Sequence, residues 1–324
     1  MVSIKDLFER GRAALVASGK ETEAGKKGIL RAGNTGIVAL DGTIIGKCAR
    51  LTYLRMKGIT VEEHDANREL MFDGGRSNED SWIEVLKAAN EPGIIFLREE
   101  EIPISWTTSN GTLVTGRPDI VLVKEGVDAN GSPVREPVKG IELKQVSSIW
   151  TARDVAFNLK PKMPHLLQAA HYSWQLKVPF ELWYTSRTDF AIGSGWEQKQ
   201  FPKDSAIIDY NPNGGAKKVL PFMQGFELGW NDKQQLMYRP VGSGDSAWKY
   251  TLITIDGIRQ YYELVSTMET TDRLPPCPKN IEADGKVGGY SICDYCPLKS
   301  VCKGKSYGGL QEWLKAVAEL TDKK

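Results

Sequence analysis

Thr115-Gly116-Arg117-Pro118-Asp119 runs straight into Ile120-Val121-Leu122-Val123, and twenty-three residues after the aspartate comes Ile141-Glu142-Leu143-Lys144. The first stretch sets a carboxylate at the mouth of a very apolar strand, an odd place for a charge. In the second, Glu142 and Lys144 are two apart and so share one face of a strand, with Ile141 and Leu143 turned the other way. The polar stretch between them contains Asn130-Gly131 and Pro133 and reads as a reversal, so two antiparallel strands bring Asp119 beside Glu142 and Lys144.

Such a group has a definite chemical use. A hard divalent cation, Mg2+ or Mn2+, takes oxygen ligands of the kind Asp119 and Glu142 offer, polarises a phosphate and acidifies its bound water. Lys144 can orient that water or meet the charge of the pentavalent transition state. Glu-x-Lys alone more commonly marks an exposed strand face, with the aspartate at a turn.

Outward from these strands, the N-terminal stretch 1–20 predicts an amphipathic helix, and 28–46, with Gly33-Asn34 and Asp41-Gly42, a small hairpin. Helices are expected over 50–57, 66–72 and, after an interruption at Gly74-Gly75, from an N-cap at Ser77 to about residue 90. Strands follow at 94–97, 102–107, 113–114, 119–123 and 139–145, then a helix over 163–176 and a strand at 181–185. The segment 187–249 reads as an irregular β-rich insertion. A strand at 250–253 and helices over 256–267 and 310–320 close the chain. The expected division is an N-terminal helical and hairpin segment (1–60), a core (61–186), the insertion (187–249) and a C-terminal segment (250–324).

With 41% hydrophobic and 26% charged residues among 324, the chain can bury a sizeable core. A net charge of +1 excludes a bulk polycation, so any nucleic-acid binding must come from local clusters. No stretch approaches the roughly 20 apolar residues of a membrane span, and a cytoplasmic location without membrane contact is expected. In that setting five cysteines point to metal binding or inert burial rather than disulfides.

Cys293-Asp294-Tyr295-Cys296 followed by Cys302 is a compact C-x2-C-x5-C ligand set. Three thiolates need a fourth ligand, from Cys277 or from Cys48 at the far end of the chain, and either Zn2+ or a [4Fe-4S] cluster accepts such a set. His64, His165 and His171 match no ligand or triad spacing and read as surface or packing residues. Lys160 and Lys162, with Arg50, Arg55 and Lys57, could hold phosphates, or form an ordinary charged helix face.

Gly116-x-Pro118-Asp119, an apolar run and then Glu142-Leu143-Lys144 resembles the PD-(D/E)XK nuclease superfamily. Gly75-x-x-x-Glu79 and Gln168-x-x-x-Tyr172 resemble two further motifs of its RecB-like branch. Cys48-Ala49-Arg50-Leu51-Thr52-Tyr53 is similar to the C-x-R-x-x-Y of RecB-like nucleases with an iron-sulfur cluster, such as AddB-type and CRISPR-adaptation exonucleases. The resemblance spans residues 48–302 and leaves 187–249 uncovered.

It implies an α/β restriction-endonuclease-like core, a central mixed sheet flanked by helices, closed by an iron-sulfur staple. Glu79, Asp119 and Glu142 become metal ligands, Lys144 the fourth catalytic residue, and Gln168 and Tyr172 substrate contacts. Cys48, Cys293, Cys296 and Cys302 become cluster ligands, which leaves Cys277 unexplained; a zinc site using Cys277 is the alternative. The implied activity is divalent-metal-dependent hydrolysis of DNA, exonucleolytic on single strands or ends, in recombination, repair or phage DNA metabolism. An endonuclease on the same core is one rival. A non-catalytic DNA-binding or scaffold protein is another, against which the intact Asp119, Glu142 and Lys144 speak. Protein partners and oligomeric state are left open.

Overall fold

Apolar alternation along the chain builds a mixed α/β architecture around one large sheet. The computed structural model describes residues 28–59, 61, 66–88, 93–98, 101–193, 195–201, 205–210, 217–288, 293 and 296–321, and of these not the side chains of 66–74, 76 and 210. The expected helix over 1–20 and His64 lie outside the described residues.

The strands are β1 (Ile29–Arg31), β2 (Gly36–Val38), β3 (Ile44–Gly46), β4 (Ile94–Arg98), β5 (Ile104–Thr107), β6 (Leu113–Gly116), β7 (Ile120–Val127), β8 (Pro133–Gln145), β9 (Phe180–Ser186), β10 (Phe190–Ile192), β11 (Ile208–Tyr210), β12 (Lys217–Val219), β13 (Phe222–Trp230), β14 (Gln235–Pro240) and β15 (Lys249–Thr254). The helices are α1 (Ala49–Met56), α2 (Ala66–Ala88), α3 (Ile149–Ala152), α4 (Met163–Leu176), α5 (Gly195–Gln198), α6 (Ile255–Thr267), α7 (Lys299–Cys302) and α8 (Leu310–Thr321).

Seven strands form the main sheet in the order β15-β14-β13-β9-β8-β7-β4. Within this sheet β8 and β9 are the parallel pair, which is possible because α4 supplies the crossover between them. β7 and β8 pair antiparallel with Ile120 opposite Ile141, the reversal expected from the polar loop. Its turn is held by Asp128, whose Oδ1 accepts from the backbone N–H groups of Asn130 and Ser132.

Alternation along β7 and β8 sorts their side chains between two helical layers. Ile120, Ile141 and Leu143 pack with Ile83 of α2 and, with Phe96, form one apolar layer. The large core on the other side gathers Leu166, Leu167, Ala169 and Ala170 of α4 with Phe180, Leu182 and Tyr184 of β9. Glu142 and Lys144, out of phase with Ile141 and Leu143, therefore belong to the α4 side.

Two expectations change. The helix α2 runs unbroken from Ala66 to Ala88, through Gly74-Gly75 and with Ser77 inside it rather than at its N-cap. Two glycines cost a helix about 1 kcal/mol each; packing of Trp82, Ile83 and Leu86 against the sheet offsets this. The segment 187–249 is not merely an irregular insertion. It includes β13 and β14, two strands of the main sheet, while β10, β11 and β12 form a small antiparallel sheet of their own. No helix among the described residues is long and apolar enough to cross a membrane.

One buried polar network ties the layers together. His171 of α4 is fully buried. The Trp106 Nε1–H donates to its Nε2 at 3.0 Å, so Nδ1 carries the proton and faces the hydroxyls of Thr35 at 3.2 Å and Tyr262 at 3.1 Å. Burial pushes the imidazole pKa down to about 3. His171 thus reads as a packing residue, in keeping with its lack of ligand spacing. The unfolded chain takes up a proton below about pH 6.5 that the folded protein refuses, so stability is fully present above that pH and lost as pH falls. We predict a loss of about 1.4 kcal/mol per pH unit between roughly pH 6 and 4 from this residue alone. Denaturant unfolding of wild type and His171→Gln across this range checks it: the variant is weaker at pH 7 but has a shallower acid slope, and equal slopes would contradict it.

Candidate active site

Asp119 stands one residue before β7, next to the C-terminal part of β8. Its Oδ2 accepts the backbone N–H of Leu143 at 2.6 Å, which fixes the carboxylate against the strand that carries Glu142 and Lys144. Glu142 is fully buried, and the Lys144 ammonium donates to its Oε1 at 2.5 Å. Its other oxygen, Oε2, is buried without a hydrogen-bond partner.

The electrostatics follow from this geometry. Burial and then the neighbouring Asp119 push the Glu142 carboxyl up to about 8, against the pull of Lys144. Asp119 is also raised, by burial above all. Burial alone lowers an ammonium, but Glu142 and Asp119 outweigh it, and Lys144 is held firmly protonated. Glu79, from α2, adds the smallest influence, raising both Glu142 and Lys144. The neighbouring Asn78 is buried and meets Thr185 of β9 at 3.3 Å, which locks this part of α2 to the sheet.

Gln168 and Tyr172 lie one helical turn apart on α4, and Gln168 Nε2 donates to the Tyr172 hydroxyl at 3.1 Å. Tyr172 is buried, and its phenol is raised well above the ordinary range by burial and by Glu142. Tyr172 thus lies near the carboxylates, with Gln168 bonded to it. Gly116 makes that approach possible: a Cβ there would stand 2.6 Å from Tyr172 Cε1 and 2.8 Å from Ala32 Cβ. The glycine of the Gly-x-Pro-Asp stretch is therefore a space requirement set by Tyr172.

His165 joins this set although its spacing singled out nothing. Its Nδ1 meets the Tyr184 hydroxyl at 3.0 Å, and that hydroxyl accepts the backbone N–H of Lys162. Burial, and then the positive charges of Lys144, Lys47 and Lys162, hold the imidazole neutral. The available signal was its place three residues before Gln168, on the same helix face.

The cysteines gather from four segments. Cys48 is the N-cap residue of α1, and its thiol is raised to about 11, chiefly by burial and further by Cys296 and Cys302. Cys277 lies against Cys302 and Cys293; the hydrogen bond with Cys302 lowers Cys277 and raises Cys302. Both candidates for the fourth ligand are thus brought to the C-x2-C-x5-C set. Arg50 is a correction: it faces no phosphate path but is buried here, with Nε donating to the Pro275 carbonyl at 2.7 Å, Nη1 without a partner, and Cys302 close by. Lys57 is taken up by an ion pair with Glu269. Arg55, Lys160 and Lys162 line a cleft beside the site instead.

Among the described residues, no group of three or more His, Cys, Asp or Glu side chains is arranged to hold a metal ion. At the acidic site the reason is visible, since Lys144 engages Glu142 and the Leu143 N–H engages Asp119. The donor chemistry still fits a hard cation there: two carboxylates side by side, one with a buried oxygen that bonds to nothing. The Cys302 and Cys277 thiols beside the buried Arg50, with its spare N–H, likewise suit a thiolate-bound group, whose ligands carry negative charge. No family model matches the chain, and no curated protein matches it.

Gly116→Ala must displace Tyr172 or Ala32. We predict a loss of about 1–3 kcal/mol of stability by overpacking. Denaturant unfolding reads this directly, and an unshifted midpoint would show that the close approach is unimportant.

Proposed function

We propose that the protein is a divalent-metal-dependent nuclease that hydrolyses the phosphodiester bonds of DNA, acting on single strands or ends. The observation that carries this reading is the fully buried Glu142 with Oε2 unpartnered, set beside Asp119 and Lys144. A buried carboxylate with an idle oxygen costs several kcal/mol unless something positive completes it. Lys144 completes one oxygen; with the carboxyl held up to about 8, a proton completes the other near neutral pH, and a divalent cation would displace it.

Asp119, Glu142 and Glu79 are the residues to hold Mg2+ or Mn2+, which when bound supplies a polarised phosphate and an acidified water. Asp119 is oriented for this by the Leu143 N–H, and Glu142 by Lys144. Lys144, kept charged by its two acidic neighbours, serves as a fixed positive charge toward the phosphoryl oxygens rather than as a base. Tyr172 lies near the carboxylates with Gln168 bonded to it, and the neutral His165 stands on the approach to Lys144.

The same reading assigns Cys48, Cys293, Cys296 and Cys302 to a [4Fe-4S] cluster that ties the start of the fold to its C-terminal segment, with Arg50 balancing its charge. Cys277 is then a neighbour of the cluster rather than a ligand. The DNA substrate and the staple are separate parts of this reading, each with its own test below.

Labelled linear and circular DNA with Mg2+ or Mn2+ tests the activity. Wild type is expected to degrade the linear form, and Asp119→Ala and Lys144→Ala to lose about a hundredfold or more. Equal activity in all three would sink the reading, and cleavage of the closed circle would turn it to an endonuclease. Anaerobically purified protein should carry iron and sulfide, lost in Cys48→Ser and kept in Cys277→Ser; the reverse pattern makes Cys277 the fourth ligand, and zinc without sulfide removes the cluster.

A further inference from the structure

The closing helix α8 turns one face inward: Leu310, Trp313 and Val317, at helical spacing, are all buried. Its start is fixed by Asp272, whose backbone carbonyl accepts the Leu310 N–H at 3.2 Å and whose Oδ1 accepts the Gln311 N–H at 3.0 Å. The Tyr307 hydroxyl donates to the Val301 carbonyl at 2.6 Å, which ties the loop before α8 to α7 and so to Cys302. Trp313 is thereby set in the same apolar core as Leu298, Val301 and Cys302.

Packing alone does not account for this side chain. Its Nε1–H is buried without a hydrogen-bond partner, whereas an indole in a core ordinarily finds one. A phenylalanine would fill a core without stranding a donor. The other stranded donor is Arg50 Nη1, on a guanidinium whose Nε is held by the Pro275 carbonyl. Among the described residues these two are the buried side-chain donors left without a partner, and they come from opposite ends of the chain.

Both converge on one sulfur. Cys302 is raised on balance, first by the hydrogen bond with Cys277 and then by burial, while Trp313 and Arg50 draw it toward the thiolate. A neutral thiol is a weak acceptor and offers little to either donor. A thiolate bound to a metal keeps negative charge on its sulfur and accepts N–H groups well, and such outer partners fix the direction of a ligand.

We propose that Trp313 is a positioning residue of the cysteine site: its indole N–H and the Arg50 Nη1–H both donate to the Cys302 sulfur when that sulfur holds a thiophilic metal or cluster. Cys302 is then the ligand oriented from outside the site, whichever of Cys48 and Cys277 joins it. This rests on the reading of the cysteines as a ligand set, for zinc and iron-sulfur alike, and is independent of the acidic site.

The test uses the full chain, freed of bound metal and with its thiols reduced, Co2+ as the probe and Zn2+ in competition. Thiolate-to-cobalt charge-transfer absorption reports binding to sulfur, and circular dichroism checks that each protein is folded. Two variants separate the N–H from the ring: Trp313→Phe, and replacement of Trp313 by 3-benzothienylalanine, which keeps the bicyclic shape with sulfur in place of the N–H. Both should bind Zn2+ about ten- to hundredfold more weakly than wild type. Their cobalt band should move to longer wavelength, because the Cys302 sulfur keeps more of its electron density. Wild-type affinity or an unmoved band in the benzothienylalanine protein overturns the proposal even where Trp313→Phe is weakened, since shape alone then accounts for the residue. A wild type without a charge-transfer band removes the ligand set and the proposal with it. A tight cobalt site in wild type that weakens in both variants, with no DNA hydrolysis in Mg2+, upholds the proposal and rejects only the nuclease.

Discussion

The hydrogen bond from Lys144 to Glu142, made inside the protein, is the contact on which the rest of the site depends. It joins two residues on one face of β8, where alternation has already sent Ile141 and Leu143 into the opposite apolar layer. Moving the strand by one residue would exchange the two sets, burying the charges against the apolar face of α2 and filling the carboxylate site with isoleucine and leucine. The register of β7 with β8, and of β8 with β9, is thereby pinned. Asp119, fastened to the Leu143 N–H, completes an acidic pair that the sheet cannot easily relax. One carboxylate oxygen is left over, and the chemistry proposed for the protein begins at that oxygen.

Much of this arrangement is readable from residues alone. The reversal between Asp119 and Glu142, the shared face of Glu142 and Lys144, and the helix from Met163 to Leu176 all appear at the expected positions, because period-two and period-3.6 patterns are local properties. The continuous helix α2 was not readable, since a Gly-Gly pair and a serine followed by acids mimic a helix end. Only the packing of Trp82, Ile83 and Leu86 on the sheet overrides them. The strands β13 and β14 were equally hidden. Their membership in the main sheet is decided by pairing with β9, a contact between segments more than thirty residues apart.

The functional residues divide in the same way. Motif spacing brings out Asp119, Glu142, Lys144, Gln168 and the cysteines, but it cannot show that Gly116 is there to admit Tyr172. Nor does it show that Arg50 is drawn into the cysteine nest rather than toward phosphate. His165 is marked only by its place three residues before Gln168, and its surroundings come from the meeting of α4 with β9. The cysteines from four segments converge for the same tertiary reason, which leaves Cys48 and Cys277 both within reach of the late three.

If the idle oxygen of Glu142 is a cation site, as proposed, Mn2+ binding followed by electron paramagnetic resonance will read it. Burial and Asp119 hold the Glu142 carboxyl up to about 8, so binding must displace a proton. Affinity should rise about tenfold per pH unit from roughly pH 6 to 8 and then level off. In Glu142→Gln the bound signal should vanish, while the fold is retained by circular dichroism. Mn2+ bound with the same affinity and pH dependence in wild type and Glu142→Gln would contradict the account.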